Sequence, residues 1–136
     1  MHVGVDKGTL LVRRAELTPA KVAESEVADR LVCGDELAVY GDRAYESQKR
    51  RAWLQLQGID DCILHRSHKN QSELPAWQQR NAEIGPVRAL VEKVFGTLKR
   101  SYGYRRVRYR GLERNAVEMW LKLMAYNLRK VVALTA

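Results

Sequence analysis

The sequence predicts an α/β fold within a single domain, and two observations support this. The 136 residues match the length of one domain. The middle of the chain alternates between short apolar runs, which are typical of strands, and longer segments with helical spacing.

No apolar run approaches the roughly 18 residues that a membrane-spanning helix needs, and the first residues carry no signal-peptide pattern. We therefore expect a cytoplasmic protein without a membrane partner.

Four strands and two helices are predicted in the first half of the chain. Short runs of strand-forming residues at 2–6 and 10–17 flank a turn sequence, as in a hairpin. Ser47 is a typical helix N-cap and Gly58 a typical helix stop, so we expect a helix between them. The other predicted elements of this half are a helix at 24–32, a buried strand at 37–40 and a strand at 61–65.

The second half is predicted to be helical after a polar loop at 66–73. Pro75 and Pro86 both suit a first helical turn, so we expect the glycine–proline step at Pro86 to separate two helices. Gly103 is expected to end the second of them. A last amphipathic helix is predicted at 112–133. Its predicted core-facing side chains are Trp120, Leu121, Met124, Leu128, Val131 and Val132.

Positive charge is concentrated in the second half of the chain. Residues 1–64 hold nine basic and eleven acidic side chains, net −2, whereas residues 65–136 hold fifteen and five, net +10. A basic half of this kind indicates a polyanionic partner, most readily nucleic acid, although basic solvated surfaces without such a role also exist. We divide the domain accordingly into strands and helices at 1–67 and a helical, basic part at 68–136.

The most informative segment is the helix predicted after Pro86. One narrow stripe of that helix presents a carboxylate between two cations, at Arg88, Glu92 and Lys99. An apolar face fit for a core lies about a quarter-turn away and consists of Val87, Val91, Val94 and Leu98. Such a stripe is one way to hold a metal carboxylate beside DNA phosphate. Ordinary i,i+4 pairing on a surface helix is the alternative.

Asp42 and Glu92 are the candidate catalytic carboxylates and metal ligands. Asp42 ends a predicted strand, and Glu92 lies on a helix 50 residues later. Phosphoryl-transfer enzymes draw carboxylates from separate elements to hold Mg²⁺, which activates the attacking oxygen and stabilises the leaving one. Two carboxylates can contribute to such a site, although two-metal catalysis typically uses three or more. A purely structural role for both is the alternative.

A basic and aromatic run follows the helix. Residues 99–110 contain three tyrosines, no acid and six cations, which are Lys99, Arg100, Arg105, Arg106, Arg108 and Arg110. Lysine and arginine neutralise phosphates, and tyrosine stacks on bases. If the segment is extended, Arg106, Arg108 and Arg110 lie on one face. We predict that it contacts DNA, with a solvated loop as the alternative.

The cysteines and histidines give a weaker signal. Cys33 and Cys62 do not form a metal pattern and are expected to be reduced. Cys62, His65 and His68 have spacing conceivable for zinc, but the sequence offers no fourth ligand. We expect His65 to cap a strand end or to face DNA.

Several of these segments together resemble bacterial insertion-sequence DDE transposases. VYGDRAY at 39–45, followed by Arg-x3-Glu-x6-Lys at 88–99, resembles their second and third catalytic blocks. HVGVD at 2–6 is similar to the hairpin before the second block. YRRVRYRGL at 104–112 and YNLR at 126–129 resemble the C-terminal blocks. The likeness covers nearly the whole chain, and the motifs are specific in combination.

The resemblance implies an RNase H-like catalytic core with additional C-terminal helices. It also implies Mg²⁺-dependent DNA cleavage and strand transfer, with DNA at transposon ends as the partner. On this interpretation Asp42 is the second catalytic carboxylate and Glu92 the third, while Arg88 and Lys99 engage DNA nearby. Tyr45 is expected to pack beneath the strand end.

The resemblance also has two departures. Gly85 stands where the family often has a tyrosine, and the family's first catalytic aspartate precedes the segment resembling 2–6. Asp6 is no substitute, because it lies in the predicted hairpin turn. The core is therefore expected to lack its central first strand and to be inactive alone, with a full-length or upstream-encoded transposase segment as a second partner. A non-catalytic DNA-binding regulator or remnant, or a nuclease with its own third carboxylate, are the alternatives.

Overall fold

The structure, a computed structural model, describes residues 1–65 and 75–136. The predicted polar loop, the predicted division between residues 67 and 68, and His68 lie outside the described residues. Two compact units are present: residues 1–23 together with 90–136, and residues 24–89. Strands and helices are mixed in the chain, as the α/β prediction required. The described strands form two separate two-stranded sheets rather than one larger sheet.

The first unit contains the predicted hairpin. Strand β1 (His2–Val5) pairs antiparallel with β2 (Val12–Glu16). Asp6 fixes the turn, because its Oδ2 accepts hydrogen bonds from the backbone N–H of Thr9 at 2.7 Å and from the Thr9 hydroxyl at 2.6 Å. These bonds, the hydroxyl one foremost, lower the pKa of Asp6. Asp6 is thus a turn residue, as predicted.

Helix α4 (Leu112–Thr135) is anchored to the hairpin by polar side chains. Asn127 Oδ1 accepts a hydrogen bond from the Val12 N–H at 2.9 Å, and Asn127 Nδ2 donates to the Val12 carbonyl at 2.8 Å. The Tyr126 hydroxyl donates to the Leu10 carbonyl at 3.0 Å. These contacts decide which face of α4 turns inward. The buried core of the unit consists of Val12, Val94, Leu98, Met119, Leu123 and Tyr126.

The predicted core face of α4 is wrong, although the helix itself is confirmed. The buried positions of α4 are Asn115, Met119, Leu123 and Tyr126. The side chains predicted to face the core are exposed, and they are Trp120, Leu121, Met124, Leu128, Val131 and Val132. The helix has two apolar faces, and the polar anchors to the hairpin select the one that the hydrophobic pattern did not favour.

The second unit is built around a parallel strand pair. Helix α1 (Glu24–Leu31) precedes β3 (Ala38–Gly41), which pairs in parallel with β4 (Asp60–Ile63). Helix α2 (Gln48–Leu56) connects the two strands. The buried core of this unit includes Leu54, Ile59 and Ile63. All four elements were predicted. Strand β3 is only half-buried, however, and Leu37 before it is 88% exposed, so the prediction of a buried strand at 37–40 is wrong.

Helix α3 (Pro75–Ser101) is continuous, and the predicted break at Pro86 is wrong. A proline inside a helix removes one backbone hydrogen bond and costs about 3 kcal/mol. Ile84 just before it is 5% exposed, and Val94 in the next turns is fully buried. Packing on both sides of Pro86 therefore keeps the helix continuous despite the missing hydrogen bond. Val94 and Leu98 are buried as predicted, whereas Val87 and Val91 are half-buried.

The first turns of α3 close the outer side of β4. Arg80 donates to the carbonyls of Asp61 and Ile63, and the amide of Asn81 accepts from the His65 N–H at 3.0 Å. These backbone groups alternate along the strand and point away from β3. Side chains from a helix thus satisfy groups that a further strand would otherwise bond.

Candidate catalytic and DNA-binding site

Asp42 lies immediately beyond the carboxyl end of β3, as the sequence predicted. Its Oδ1 accepts a hydrogen bond from the Arg43 N–H at 2.6 Å, and its carbonyl accepts from the Tyr45 N–H at 2.9 Å. Asp42 is therefore the N-cap of a 3₁₀ turn, Arg43–Tyr45. The side chain of Asp42 is 49% exposed. One carboxylate oxygen thus fixes the turn, while the other faces outward.

Arg88 is brought to the second oxygen of Asp42. The guanidinium Nη1 lies 3.5 Å from Asp42 Oδ2, and the Arg88 side chain is 37% exposed. A half-exposed ion pair of this kind contributes little to stability, on the order of 1 kcal/mol or less. Its significance is positional, because it sets a cation beside a carboxylate in reach of solvent. The contact joins two residues that are 46 positions apart in the sequence.

The turn that carries Asp42 is packed from below. Tyr45 contacts the core of Leu54, Ile59 and Ile63, and burial raises its pKa. Gly41 leaves the space that this packing needs, since a Cβ there would lie 3.3 Å from Ile63 Cγ1 and 3.6 Å from the Tyr45 ring. The prediction that Tyr45 packs beneath the strand end is confirmed.

Arg50 holds the same turn, a role that no sequence motif predicted. It is a charged side chain that is only 5% exposed. Its guanidinium donates to the Tyr45 carbonyl, to the Ser25 carbonyl and to the Asp29 carboxylate. Arg50 therefore ties the turn after Asp42 to α1. A signal existed, because Arg50 lies four residues before the buried Leu54 on the same face of α2.

Glu92 lies on α3 at helical spacing from Arg88 and Lys99, as predicted. The Glu92 and Lys99 residues are exposed, and Phe95 is half-buried. Asp42 and Arg88 belong to the unit of residues 24–89, whereas Glu92 and Lys99 belong to the unit that includes residues 90–136. The structure thus brings Asp42 and Arg88 together within one unit and presents the carboxylate of Glu92 in the other.

The basic segment begins in the last turn of α3, which holds Lys99 and Arg100, and continues as a loop between α3 and α4. Tyr102 and Tyr104 are half-buried against the core of the first unit, and burial raises the pKa of Tyr104. The loop is not a strand, so the expected alternation of three arginines on one face does not apply. All six predicted DNA-contacting residues of the segment are exposed, namely Lys99, Arg100, Arg105, Arg106, Arg108 and Arg110.

One buried side chain, Asn115, organises the loop. Its Oδ1 accepts hydrogen bonds from the N–H groups of Arg108 at 3.3 Å and Tyr109 at 3.2 Å. Its Nδ2 donates to the carbonyls of Tyr109 and Gly111, each at 2.6 Å. Asn115 is 7% exposed. The loop therefore presents its arginines from a backbone that Asn115 holds at three residues, Arg108, Tyr109 and Gly111.

Other potential metal ligands play structural roles. Among residues 1–65 and 75–136, one group of three has ligand atoms within 4.8 Å of one another: Cys33, Asp35 and Glu36. Burial acts to raise the pKa of Glu36, but hydrogen bonds from the N–H groups of Cys33 and Gly34 outweigh it and lower that pKa. The carboxylate thus closes a turn.

His65 also has structural contacts. It follows β4, stacks on Trp77 with ring centroids 4.0 Å apart, and places Nδ1 2.6 Å from Glu46. The position of His65 just beyond β4 agrees with the first of its two expected roles, and a contact with DNA stays a prediction. Cys62 is half-buried, and burial raises its pKa. Within the described part of the chain, Cys62 and His65 are not members of a group of three metal ligands.

Comparison with known proteins settles the family. Residues 1–128 match the family described as the transposase DDE domain. The chain belongs to the DDE transposase family. A curated relative of this transposase domain is the transposase for insertion sequence element IS1106 of Neisseria meningitidis serogroup B, which is 31% identical over 119 residues. The alignment covers 86% of this chain and 41% of the relative, so the domain spans about two fifths of that relative's length. No solved structure matches the chain.

The family assignment confirms the resemblance predicted from the sequence motifs. The match runs through the turn at Asp42, the helix with Glu92 and the basic loop of this DDE transposase domain, and ends within α4. Insertion-sequence transposases act in DNA transposition, as the sequence predicted. None of the helices among the described residues is both long and apolar enough to cross a membrane.

Proposed function

We propose that this chain forms part of the RNase H-like catalytic domain of an insertion-sequence transposase that cleaves and joins DNA at transposon ends. Asp42 and Glu92 each supply a catalytic carboxylate. The observation that carries the proposal is the setting of Asp42. It stands at the end of a parallel strand in a turn that Arg50 and Tyr45 hold, with one oxygen presented beside Arg88. A carboxylate fixed by its own turn and still half-exposed is prepared to bind a ligand.

The donor set fits a hard divalent cation, which we take to be Mg²⁺. Carboxylate oxygens are the ligands that Mg²⁺ prefers, and Asp42 Oδ2 and the exposed carboxylate of Glu92 would hold it. When bound, Mg²⁺ would activate the attacking oxygen and stabilise the leaving oxygen of a phosphodiester. Arg88 then has a second role, since its guanidinium can leave Asp42 and bind a DNA phosphate beside it.

The basic loop supplies the remaining DNA contacts in this proposal. Its four exposed arginines, Arg105, Arg106, Arg108 and Arg110, neutralise phosphates, and Arg100 and Lys99 extend the series along α3 toward Glu92. The ion pair of Arg108 with Glu118, at 3.6 Å, orients one of these arginines. The loop thus positions DNA, while Asp42 and Glu92 act on it.

Cleavage of labelled transposon-end DNA in Mg²⁺ tests the proposal directly. The assay uses this chain alone and then together with any polypeptide that is encoded directly upstream of it. We expect Asp42→Asn and Glu92→Gln each to lower the cleavage rate by on the order of a thousandfold, equivalent to about 4 kcal/mol in the activation free energy. The matched controls Asp60→Asn and Glu83→Gln remove exposed carboxylates elsewhere and should retain the rate.

The outcomes separate the candidate functions. Cleavage that survives both Asp42→Asn and Glu92→Gln would overturn the assignment of the two carboxylates. DNA binding without cleavage under every condition would instead establish a non-catalytic DNA-binding regulator. Isothermal titration calorimetry with Mg²⁺ on the same variants measures whether the two carboxylates bind metal in the absence of DNA.

Removing arginines from the loop is expected to weaken DNA binding and its dependence on salt. Each phosphate contact contributes about 0.9 to the slope of log K against log salt concentration. Replacing Arg105, Arg106 and Arg110 by glutamine should therefore make the slope shallower by about 2 to 3. The matched control replaces three exposed arginines outside the loop, Arg13, Arg14 and Arg30. Fluorescence anisotropy between 50 and 300 mM salt, roughly, measures both triple variants. Equal slopes for the two would rule out the loop as the binding surface.

A further inference from the structure

Arg108 is fixed at both ends of its side chain. Asn115 accepts a hydrogen bond from the backbone N–H of Arg108 at 3.3 Å. The guanidinium Nε of Arg108 lies 3.6 Å from Oε1 of Glu118. Its Nη2 lies against the backbone of Gly103, since a Cβ built at that glycine would be 3.4 Å away. The side chain nevertheless remains 58% exposed, so a ligand can reach it.

The carboxylate that contacts Arg108 is held in its turn. The Glu118 side chain is 12% exposed, and its Oε1 lies 2.5 Å from Nζ of Lys122, one helical turn further along α4. The Lys122 side chain is 17% exposed, and its Nζ lies 5.4 Å from the centre of the Tyr104 ring. After burial, the charge of Glu118 is the second cause of the raised pKa of Tyr104. A carboxylate held in this way restricts the positions that the guanidinium of Arg108 can take.

The other three arginines of the loop are set differently. Within residues 1–65 and 75–136, none of Arg105, Arg106 and Arg110 forms an ion pair with a carboxylate. Arg105 donates from Nε to the carbonyl of Lys99 at 3.3 Å. Cations without a carboxylate beside them suit phosphates, because a phosphate contact depends mainly on charge. The loop thus contains one arginine with a positioned guanidinium and three with unpaired charge.

A guanine edge fits the positioned guanidinium better than a phosphate does. Guanine O6 and N7 accept two hydrogen bonds from one arginine in a fixed geometry, and the base carries no net charge. Glu118 engages Nε of Arg108, which leaves the two terminal nitrogens for such a pair. A phosphate on the same guanidinium would be repelled by Glu118. Val107 and Tyr109, on either side of Arg108, are 73% and 48% exposed, and apolar groups can contact the thymine methyl in the major groove.

We propose that Arg108 reads a guanine in the major groove of duplex DNA and that Glu118 positions its guanidinium for this contact. The proposal rests on the DNA contact of the basic loop proposed above and refines it. Arg108 reads sequence, whereas Arg105, Arg106 and Arg110 bind phosphates. The charge of Arg108 still adds to the attraction between the loop and DNA.

Selection by the full 136-residue chain from a library of randomised duplex DNA tests the assignment. We expect the bound fraction to be enriched in guanine at one position. Fluorescence anisotropy then compares the selected duplex with its counterpart that has adenine at that position. Arg108→Lys keeps the charge but cannot form the two-bond pair, so the preference for guanine should fall about tenfold. The matched control Arg106→Lys should keep the preference, and both variants should keep the salt dependence of the wild type, because no charge is lost.

Glu118→Gln distinguishes positioning of Arg108 from mere neutralisation of its charge. If Glu118 positions the guanidinium, the variant should lose part of the preference for guanine, on the order of threefold. The matched control Glu113→Gln removes an exposed carboxylate of the same helix and should keep the preference. A uniform gain in affinity for all sequences in Glu118→Gln, with the preference unchanged, would overturn the positioning role. Circular dichroism verifies that each variant retains its helices.

Two further results would overturn the assignment of Arg108. One is a preference for guanine that survives Arg108→Lys, because another residue would then read the base. The other is binding by the wild-type chain without preference at any position. In both cases the chain still binds DNA, so the proposed function stands. A wild-type chain that binds no DNA would instead overturn the DNA contact of the loop, and this assignment with it.

Nuclear magnetic resonance relaxation of the arginine Nε–H groups measures the restraint on Arg108 without DNA. We expect the Nε–H of Arg108 to move less than those of Arg106 and Arg110, and Glu118→Gln to remove the difference. Equal mobility of the three groups in the wild type would overturn the positioning role of Glu118. This measurement uses neither DNA nor metal, so it is independent of the transposase proposal.

Discussion

Replacing Arg50 by methionine should lower the free energy of unfolding of the chain by about 2–4 kcal/mol. The Arg50 side chain is 5% exposed and donates to the carbonyls of Tyr45 and Ser25 as well as to Asp29. Methionine fills a similar volume but leaves both carbonyls without that donor. Asp29 is 56% exposed and can be hydrated again, so the expected loss falls below that of a fully buried ion pair.

Urea denaturation of the wild type and the variant measures this effect. The matched control is Arg51→Met in the next position of α2. Arg51 is 39% exposed and pairs with Asp61 and Glu46, so its loss should cost about 1 kcal/mol or less. If Arg50→Met and Arg51→Met unfold at the same urea concentration, the role assigned to Arg50 is contradicted. Because Arg50 holds the turn that carries Asp42, the variant should also lose Mg²⁺-dependent cleavage wherever the wild type shows it.

Local signals in the sequence located most of the elements. Ser47 caps α2, where its hydroxyl oxygen accepts from the Arg50 N–H, and Gly58 adopts a φ of 70° just beyond the helix end. Gly103 likewise has a φ of 61° where α3 ends. These signals depend on a few adjacent residues, and the backbone follows them regardless of what packs nearby.

Signals that depend on packing were less informative. A proline is expected to interrupt a helix, yet α3 continues through Pro86, because buried residues in the flanking turns hold it. The choice between the two apolar faces of α4 depends on Asn127 and Tyr126, which bind the hairpin more than 100 positions away. Periodicity identifies an apolar face but not its partner, so it favours the more hydrophobic face as the core.

The candidate site shows the same division. Asp42 at a strand end and the spacing of Arg88, Glu92 and Lys99 could be read from the sequence, because each depends on one element. The contact of Arg88 with Asp42 and the burial of Arg50 could not, because they depend on how separate elements pack. Two adjacent arginines, Arg50 and Arg51, look equivalent in the sequence. Helical geometry turns one inward and leaves the other half-exposed.

Asn115 is the second residue for which we expect a large effect. Its amide makes four hydrogen bonds to the backbone of the basic loop, at Arg108, Tyr109 and Gly111. Gly111 has a φ of 90°, and α4 begins there without a side-chain cap, so Asn115 also holds the entry to the helix. Only a side chain that both accepts and donates hydrogen bonds, such as an amide, can bind N–H groups and carbonyls of the loop together. A carboxylate or an aliphatic group cannot.

Asn115→Ala should release the loop and thereby weaken DNA binding about tenfold, equivalent to about 1.4 kcal/mol. The cations remain, but they must be ordered on binding, and that ordering opposes association. Trypsin provides a readout independent of DNA, because a released loop should be cut faster after Arg105, Arg106, Arg108 and Arg110. Asn127→Ala is the matched control, since it removes an asparagine of the same helix that also bonds backbone. If both variants lose DNA affinity and trypsin cuts both faster to the same extent, general destabilisation explains the effect. Faster cleavage of the loop in Asn115→Ala alone, together with weaker DNA binding, would show that Asn115 acts by positioning the arginines.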